Sequence, residues 1–185
     1  MNRIVFEKIE ELFSLNKRIV IAVDGMCASG KTTLAGEIKE QFGGTVISAD
    51  SCFLPFEMRT LQRLNEAGGN FHRERFYAEV ISNLKEDEFE YGVFDCTVGD
   101  ITKTVPVNEH RLLIIEGSYC MHPWLNAEYD LKIFTLTDEK TQLKRIEKRN
   151  GSAASENFRN KWIPFENKYF ESYNIKGNCH IILCT

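Results

Sequence analysis

The sequence has no hydrophobic run long enough to cross a membrane, no Cys-x-x-Cys pair and no excess of basic residues. A membrane-spanning helix needs about 20 consecutive apolar residues, so we expect none here. The six cysteines lack the spacing of a zinc site, and we interpret them as reduced thiols of a cytoplasmic protein. The net charge of −4 gives no general affinity for nucleic acid or for an anionic membrane, so any phosphate site must be local.

The sequence also has no internal repeat and no low-complexity segment. A length of 185 residues suits one domain with a sizeable core, and we expect residues 1–185 to form that single domain. Residues 1–13 alternate charged and apolar side chains, which predicts an amphipathic packing helix rather than a signal sequence. No stretch of the sequence indicates an oligomeric state.

One segment near the N-terminus carries a specific signal. The apolar run Ile19–Val23 predicts a buried strand, and Gly25–Thr32 matches G-x-x-x-x-G-K-S/T at every fixed position. Glycines let the backbone approach a phosphate closely, so that N–H groups and the next helix N-terminus converge on the anion. We expect Lys31 to reach the β- and γ-phosphates and Thr32 to bind Mg²⁺. The predicted nucleotide-binding residues are Gly25, Ala28, Ser29, Gly30, Lys31, Thr32 and Thr33.

Acidic residues follow two other predicted strands. Asp50 comes after the strand at 45–48, and Glu116 closes the buried strand at 112–115. Ligands of open parallel sheets bind beyond the carboxyl ends of the strands, so we expect both acids on the same rim as the phosphate loop. Asp50 is a candidate base, the alternative being that it caps the next turn. Glu116 is a candidate Mg²⁺ ligand, acting directly or through water.

The remaining pattern predicts the fold class. Further strands are predicted at 130–135 and 179–184, and helices at 73–86, 137–150 and 162–173. Strands that alternate with helices after a phosphate loop predict an α/β protein. We expect the P-loop NTPase fold, with three α/β/α layers, a mostly parallel five-stranded sheet, helices on both faces and a small lid. Two short strands also predict a β-hairpin over about 89–107, beside the site.

A lid is predicted at about 150–161. Basic residues, among them Arg145 and Arg149, precede the segment 151–155, which consists of glycine, serine and alanine and which we expect to be pliable. Cationic residues beside a pliable segment can close over phosphates and exclude water. The alternative is a solvated basic helix face.

The class of phosphate-loop protein can be narrowed further. A GTPase reads guanine with N-K-x-D, and residues 167–170 here read N-K-Y-F, which lacks the acid. Motor and AAA-type ATPases need a larger module. A small-molecule kinase fits the length.

These residues together resemble the uridine kinase and phosphoribulokinase family of P-loop kinases. The resemblance is carried by the phosphate loop, Ile47–Ser51, Asn70-Phe71, Phe94-Asp95, Ile114–Gly117, and Arg145 with Arg149. It implies that Asp50 takes the proton from the substrate hydroxyl and that Glu116 lies near Mg²⁺. It also implies that the two arginines clamp the transferred phosphoryl group, and that ATP and Mg²⁺ are the cofactors.

The acceptor side departs from the uridine kinases. Their F-D-H-P-D-A-F-D reads F-H-R-E-R-F-Y here, at 71–77, and their Y-D-F-x-x-H-x-R reads F-D-C-T-V-G-D, at 94–100. The acid that holds the ribose and the histidine that reads the pyrimidine therefore have no counterpart. From their correspondence to the family's acceptor segments, we predict as substrate-binding residues His72, Arg73, Arg75, Phe94 and Asp95.

The sequence thus predicts an ATP-dependent phosphotransferase that moves the γ-phosphoryl group of Mg·ATP to the hydroxyl of a small metabolite, a nucleoside being one candidate. One alternative is a kinase for another alcohol, such as a sugar or a coenzyme precursor. A second is a regulatory protein that binds ATP without catalysis. The predicted catalytic residues are Asp50, Lys31, Arg145 and Arg149, and the expected partners are ATP and an acceptor, with neither nucleic acid nor membrane.

Overall fold

The computed structural model describes residues 2–15, 18–108 and 111–185. The strands are β1 (Ile19–Gly25), β2 (Thr45–Ser48), β3 (Phe89–Asp95), β4 (Asp100–Val107), β5 (Leu112–Glu116), β6 (Leu131–Leu136) and β7 (Ile181–Cys184). The α-helices are α1 (Arg3–Leu15), α2 (Lys31–Phe42), α3 (Leu61–Leu64), α4 (Arg73–Glu79), α5 (Glu139–Asn150), α6 (Ser152–Asn157) and α7 (Ile163–Ser172). Within the described ranges, no helix combines the length and the apolar character that a membrane span requires.

The main sheet contains five strands in the order β2-β5-β1-β6-β7, and every neighbouring pair is parallel. The phosphate-loop strand β1 is therefore central, with β5 on one side and β6 on the other. Strands β3 and β4 form a separate antiparallel pair. The predicted five-stranded parallel sheet is confirmed.

Side chains of β1 alternate between the two faces of the sheet, as the pleat of a strand requires. Ile19, Ile21 and Val23 join a hydrophobic cluster with the buried residues of α1 and α2. Val20 and Ala22 join a second cluster, which includes buried residues of α4 and α7. Helices therefore cover both faces, and the predicted three-layer α/β/α arrangement is confirmed.

The helix predicted over 73–86 ends early, because α4 stops at Glu79. Beyond that point, polar side chains bond to the last turn of the helix. The Ser82 hydroxyl donates to the Ala78 carbonyl oxygen at 2.9 Å, and the Asn83 amide donates to the same oxygen at 3.0 Å. Local side-chain bonds of this kind compete with the helical backbone pattern, and a 3₁₀ turn follows.

The segment 151–155, expected to be pliable, is helical in the structure. Gly151 ends α5 with a positive φ of 85°, and its N–H donates to the Glu147 carbonyl oxygen at 2.8 Å. Helix α6 begins directly afterwards, and a π-helical turn at Phe158–Trp162 connects it to α7. The two alanines favour a helix, since alanine has the highest helix propensity. Residues 152–155 therefore belong to a helix rather than to a loop.

Candidate active site

The phosphate loop joins the end of β1 to the start of α2 in a tight turn. Three of its residues have positive φ: Gly25, Ala28 and Gly30. A Cβ at Gly25 would collide with the Thr135 carbonyl oxygen on β6, so only glycine fits there. The Lys31 ammonium lies inside the turn, where it donates to the carbonyl oxygens of Gly25 at 2.8 Å and Met26 at 2.9 Å.

Glu116 lies beside the loop because β5 is paired with both β1 and β2. Its Cα partners are Val23 on one side and Ser48 on the other. One carboxylate oxygen accepts the Thr32 hydroxyl at 3.2 Å, and the other accepts the Ser48 hydroxyl at 3.0 Å. Burial raises the pKa of Glu116, and the negative charge of Asp50 raises it further. The structure therefore brings together Thr32 and Glu116, which the sequence predicted separately as Mg²⁺ ligands.

Asp50 lies in the 3₁₀ turn that follows β2, at the same edge of the sheet. A Cβ at Gly117, directly after β5, would lie 3.1 Å from the Asp50 carboxylate oxygen Oδ1. The side chain is accessible from the cavity described below, yet protein atoms surround it. This desolvation raises the pKa of Asp50, while the positive charges of Lys31 and Arg149 act in the opposite direction. Asp50 thus faces the same space as the phosphate loop.

The two arginines of α5 lie at the mouth of this space. The Arg145 guanidinium donates to the Ala28 carbonyl oxygen of the phosphate loop at 3.2 Å. Arg149, one turn later, lies with its guanidinium carbon 5.9 Å from the centre of the Phe158 ring. Both line the cavity, and the charge of Arg149 acts on Asp50.

Helix α7 supports the phosphate loop from behind through two buried side chains. Glu166 accepts the Cys27 N–H at 2.8 Å and the Ser118 hydroxyl at 2.6 Å. The Tyr169 hydroxyl donates to Asp24 at 2.8 Å. Three residues of this support were not predicted from the sequence: Glu166, Tyr169 and Asp24. Asp24 shares the signal that identified Glu116, an acid near the end of an apolar strand, whereas the packing of α7 leaves no signal in the sequence.

The burial of the Asp24 carboxyl predicts how the stability of the protein depends on pH. Burial raises its pKa from 3.8 to about 6, although Lys31 and Tyr169 lower it. The folded chain therefore holds this proton to higher pH than the unfolded chain, so the stabilisation is present at low pH and is lost as the pH rises through about 6. We expect the free energy of unfolding to fall, relative to an Asp24→Asn variant, by up to about 3 kcal/mol between pH 3 and pH 7. Urea unfolding of both proteins at several pH values measures this difference, and a difference that stays constant contradicts the assignment.

A single cavity of about 1410 Å³ connects the phosphate loop to Asp50 and continues beyond it. Part of this volume lies against α1 and α2, where Phe6, Glu7 and Glu37 line it. Ligand pockets commonly measure about 300–1,000 Å³, so the whole cavity is large enough for a nucleotide and a second small molecule. On the loop side it is lined by Ala28, Gly30, Lys31, Thr32 and Thr33. Beyond Asp50 its walls are largely aromatic, with two polar side chains among them: Phe53, Phe56, Tyr119, Phe158, Trp162, Arg59 and Asn70.

Several proteins that are similar to this chain are named as kinases. A uridine kinase from Ligilactobacillus salivarius (strain UCC118) is 28% identical over 160 residues, covering 76% of this chain and 72% of that protein. The structure of a possible uridine kinase from Bacillus stearothermophilus has a TM-score of 0.66 at 17% identity and covers 97% of this chain and 98% of its own. This chain has the P-loop kinase fold. No family model matches it.

A second P-loop kinase structure is also similar. Shikimate kinase from Acinetobacter baumannii, in complex with shikimate, has a TM-score of 0.55 at 16% identity over 94% of this chain and 87% of that one. The predicted fold class and the predicted resemblance to the uridine kinases are thereby confirmed.

In this P-loop kinase fold, the residues predicted to bind the acceptor do not line the cavity. They are His72, Arg73, Arg75, Phe94 and Asp95. Arg73 pairs with Glu66 at 2.7 Å, and Arg75 pairs with Glu79 at 3.0 Å. Asp95 accepts a backbone N–H in the hairpin turn at 2.7 Å. The structure gives these side chains partners within the fold, because the segments that correspond to the family's acceptor segments here build α4 and the hairpin.

Proposed function

We propose that the protein is a kinase that transfers the γ-phosphoryl group of Mg·ATP to a hydroxyl of a small metabolite. One observation carries the proposal: Lys31, Thr32 and Asp50 line a single cavity that has room for two ligands, and Glu116 is bonded to Thr32 beside it. Phosphoryl transfer depends mainly on positioning and on electrostatic stabilisation, and these groups are of the types that it requires.

The phosphate loop would bind the nucleotide. Its N–H groups and the N-terminus of α2 attract the phosphates, and Lys31 exchanges its contacts with loop carbonyls for the β- and γ-phosphates. Thr32 and Glu116 supply a hydroxyl and a carboxylate, which are oxygen ligands that suit Mg²⁺. Among the described residues, no three histidine, cysteine or acidic side chains form a metal cluster, so nucleotide phosphates would supply further ligands. Bound Mg²⁺ would neutralise charge on the phosphoryl oxygens.

Asp50 would orient the acceptor hydroxyl and accept its proton. A carboxyl whose pKa is raised by burial is a better proton acceptor than an exposed one. Arg145 and Arg149 would neutralise the charge that spreads over the phosphoryl group in transit. The helical segment from α6 to the π turn is the candidate lid, since Phe158 and Trp162 line the cavity.

Three observations bear on the alternatives. The uridine kinase relative supports a nucleoside acceptor, whereas the altered acceptor segments support another alcohol. A regulator that only binds ATP would not need a carboxylate such as Asp50 opposite the phosphate loop. The reaction is compatible with the cytoplasmic location expected from the cysteines.

The test is ADP release from Mg·ATP, measured alone and with a panel of nucleosides, sugars and vitamin-like alcohols. We expect at least one alcohol to stimulate release and to appear as its phosphate ester in the products. Bound ATP without stimulation by any alcohol would favour the regulatory alternative. Release that is independent of every alcohol would indicate a hydrolase.

A further inference from the structure

Arg59 differs from the other arginines on its side of the cavity. Arg63 pairs with Glu74 at 2.8 Å, and Arg73 and Arg75 pair with glutamates at 2.7 and 3.0 Å. Among residues 2–15, 18–108 and 111–185, no carboxylate forms an ion pair with Arg59. Its charge is therefore available to a ligand in the cavity that it lines.

The guanidinium of Arg59 is held in place by neutral groups. It lies 4.6 Å from the centre of the Phe56 ring, and its Nε donates to the Leu54 carbonyl oxygen at 2.9 Å. Its charge also acts on the Cys96 thiol, which is a weak hydrogen-bond acceptor. A fixed, planar guanidinium that forms no ion pair among the described residues suits a carboxylate or a phosphate, which it can bind through two N–H groups.

Asn70 provides a second, independent observation. Its side chain is only 4% exposed and lines the cavity, and its Oδ1 has no hydrogen-bond partner. The backbone is fixed, since the Asn70 carbonyl oxygen accepts the Leu54 N–H at 3.1 Å. A buried oxygen without a partner is costly, and such groups in native proteins call for an explanation. A hydroxyl or N–H donor on a ligand would satisfy it.

Both side chains lie on the Asp50 side of the cavity, away from the phosphate loop. Phe53, three residues after Asp50, pairs in an isolated β-bridge with Phe71, next to Asn70. Arg59 belongs to the segment that follows, and a Cβ at Gly99 in the hairpin turn would touch the Phe56 ring beneath it. This is the part of the cavity that a phosphoryl acceptor would occupy.

We propose that Arg59 and Asn70 form the recognition site for the acceptor, and that the acceptor is an alcohol bearing a carboxylate or phosphate group. Arg59 binds the anionic group, and Asn70 accepts a hydrogen bond from a hydroxyl or N–H of the same molecule. Phe53 and Tyr119 contact the apolar part between them. This inference rests on the proposed kinase function.

Matched pairs of acceptors test the role of Arg59. Each pair differs only in the anionic group: glycerate and glycerol, ribose 5-phosphate and ribose, shikimate and its methyl ester. We expect kcat/KM for the preferred anionic member to exceed that for its neutral partner by about 10- to 100-fold, the range for hydrogen bonds to charged groups. If the ratio is largest for a carboxylate pair, the anionic group of the acceptor is a carboxylate. If it is largest for ribose 5-phosphate and ribose, the group is a phosphate.

In Arg59→Gln, this ratio should fall to about one through a higher KM for the anionic member, and Arg59→Lys should restore part of it. Arg111→Gln, which removes the same charge from an exposed position outside the cavity, should leave the ratio unchanged. Equal turnover of both members by the natural protein, or a preference that survives in Arg59→Gln, overturns the inference.

Asn70→Leu separates recognition from stability. Leucine removes the unsatisfied oxygen but also the side-chain hydrogen bond between Asn70 and Tyr119, and because these two effects oppose each other the melting temperature should change little. The same change should raise KM for the acceptor about 10-fold, because the ligand's donor loses its partner. A lower melting temperature with unchanged KM overturns the role of Asn70.

If the protein phosphorylates none of these acceptors, a binding measurement still tests the inference. With the protein saturated by Mg·AMP-PNP, the anionic members should raise the melting temperature and the neutral members should not, and Arg59→Gln should abolish the effect. No anion-dependent shift overturns the inference. The kinase proposal fails separately, when no alcohol of the wider panel stimulates ADP release.

Discussion

Replacing Asp50 with asparagine is expected to lower phosphoryl transfer by about 10²-fold or more and to leave ATP affinity nearly intact. Asparagine keeps the size of the side chain but cannot accept the proton of the acceptor hydroxyl. In the proposed function the phosphate loop, not Asp50, would make the contacts with the nucleotide. Single-turnover kinetics of acceptor phosphorylation, with ATP affinity measured by calorimetry, checks both parts.

The pH dependence of the phosphoryl-transfer rate is a second test of the role of Asp50. Because burial raises the pKa of Asp50, the rate of the natural protein should rise as this carboxyl loses its proton, and the rise should be missing in Asp50→Asn. Glu57→Gln is the matched control, since Glu57 is an exposed acid in the segment that follows. Full activity in Asp50→Asn would assign proton removal to another group.

Replacing Lys31 with methionine should have the second large effect, on both catalysis and stability. Removing one preorganised cation costs about 10²- to 10³-fold in turnover, and we expect ATP affinity to fall about 10-fold as well. The charge of Lys31 also lowers the pKa of four carboxyls at the site whose pKa is raised by desolvation: Asp24, Asp50, Glu116 and Glu166. Without this charge, the three buried ones, Asp24, Glu116 and Glu166, lose a compensating positive charge.

The loss of stability in Lys31→Met should therefore depend on pH. The pKa values of the four carboxyls rise further in the variant, so its folded form binds still more protons than its unfolded form. The difference in unfolding free energy from the natural protein should accordingly be larger at pH 7.5 than at pH 5. Urea unfolding at both values measures it, with Lys31→Arg as the variant that keeps the charge and Lys144→Met as a surface control. An equal loss at both pH values would contradict the electrostatic role of Lys31.

The phosphate side of the site could be predicted because local sequence determines it. The loop has a fixed spacing of glycines, lysine and threonine, and its geometry follows from that spacing. Asp50 and Glu116 are far apart in sequence, yet Glu116 ends one parallel strand and Asp50 follows shortly after another, and such strands deliver their carboxyl ends to one edge of the sheet. Strand order was not needed to expect that these groups meet.

The acceptor side could not be predicted in the same way, because tertiary packing determines it. Arg59 and Asn70 lie in a segment of short, irregular turns, where no periodicity indicates which side chains face the cavity. Arg73 and Arg75 lie in α4 and pair with glutamates, whereas Arg59 lines the cavity and has no ion-pair partner among the described residues. Glu166 reaches the loop solely because α7 crosses behind it.

The support of the phosphate loop by α7 has a consequence for how the chain folds. The bond from Cys27 to Glu166 joins residues 139 positions apart, and that from Tyr169 to Asp24 joins residues 145 apart. Contacts between such distant residues form late, since the entropy of closing a long loop opposes them until other structure is in place. The phosphate loop therefore reaches its final geometry only when nearly the whole chain is folded, and nucleotide binding becomes an indicator of complete folding.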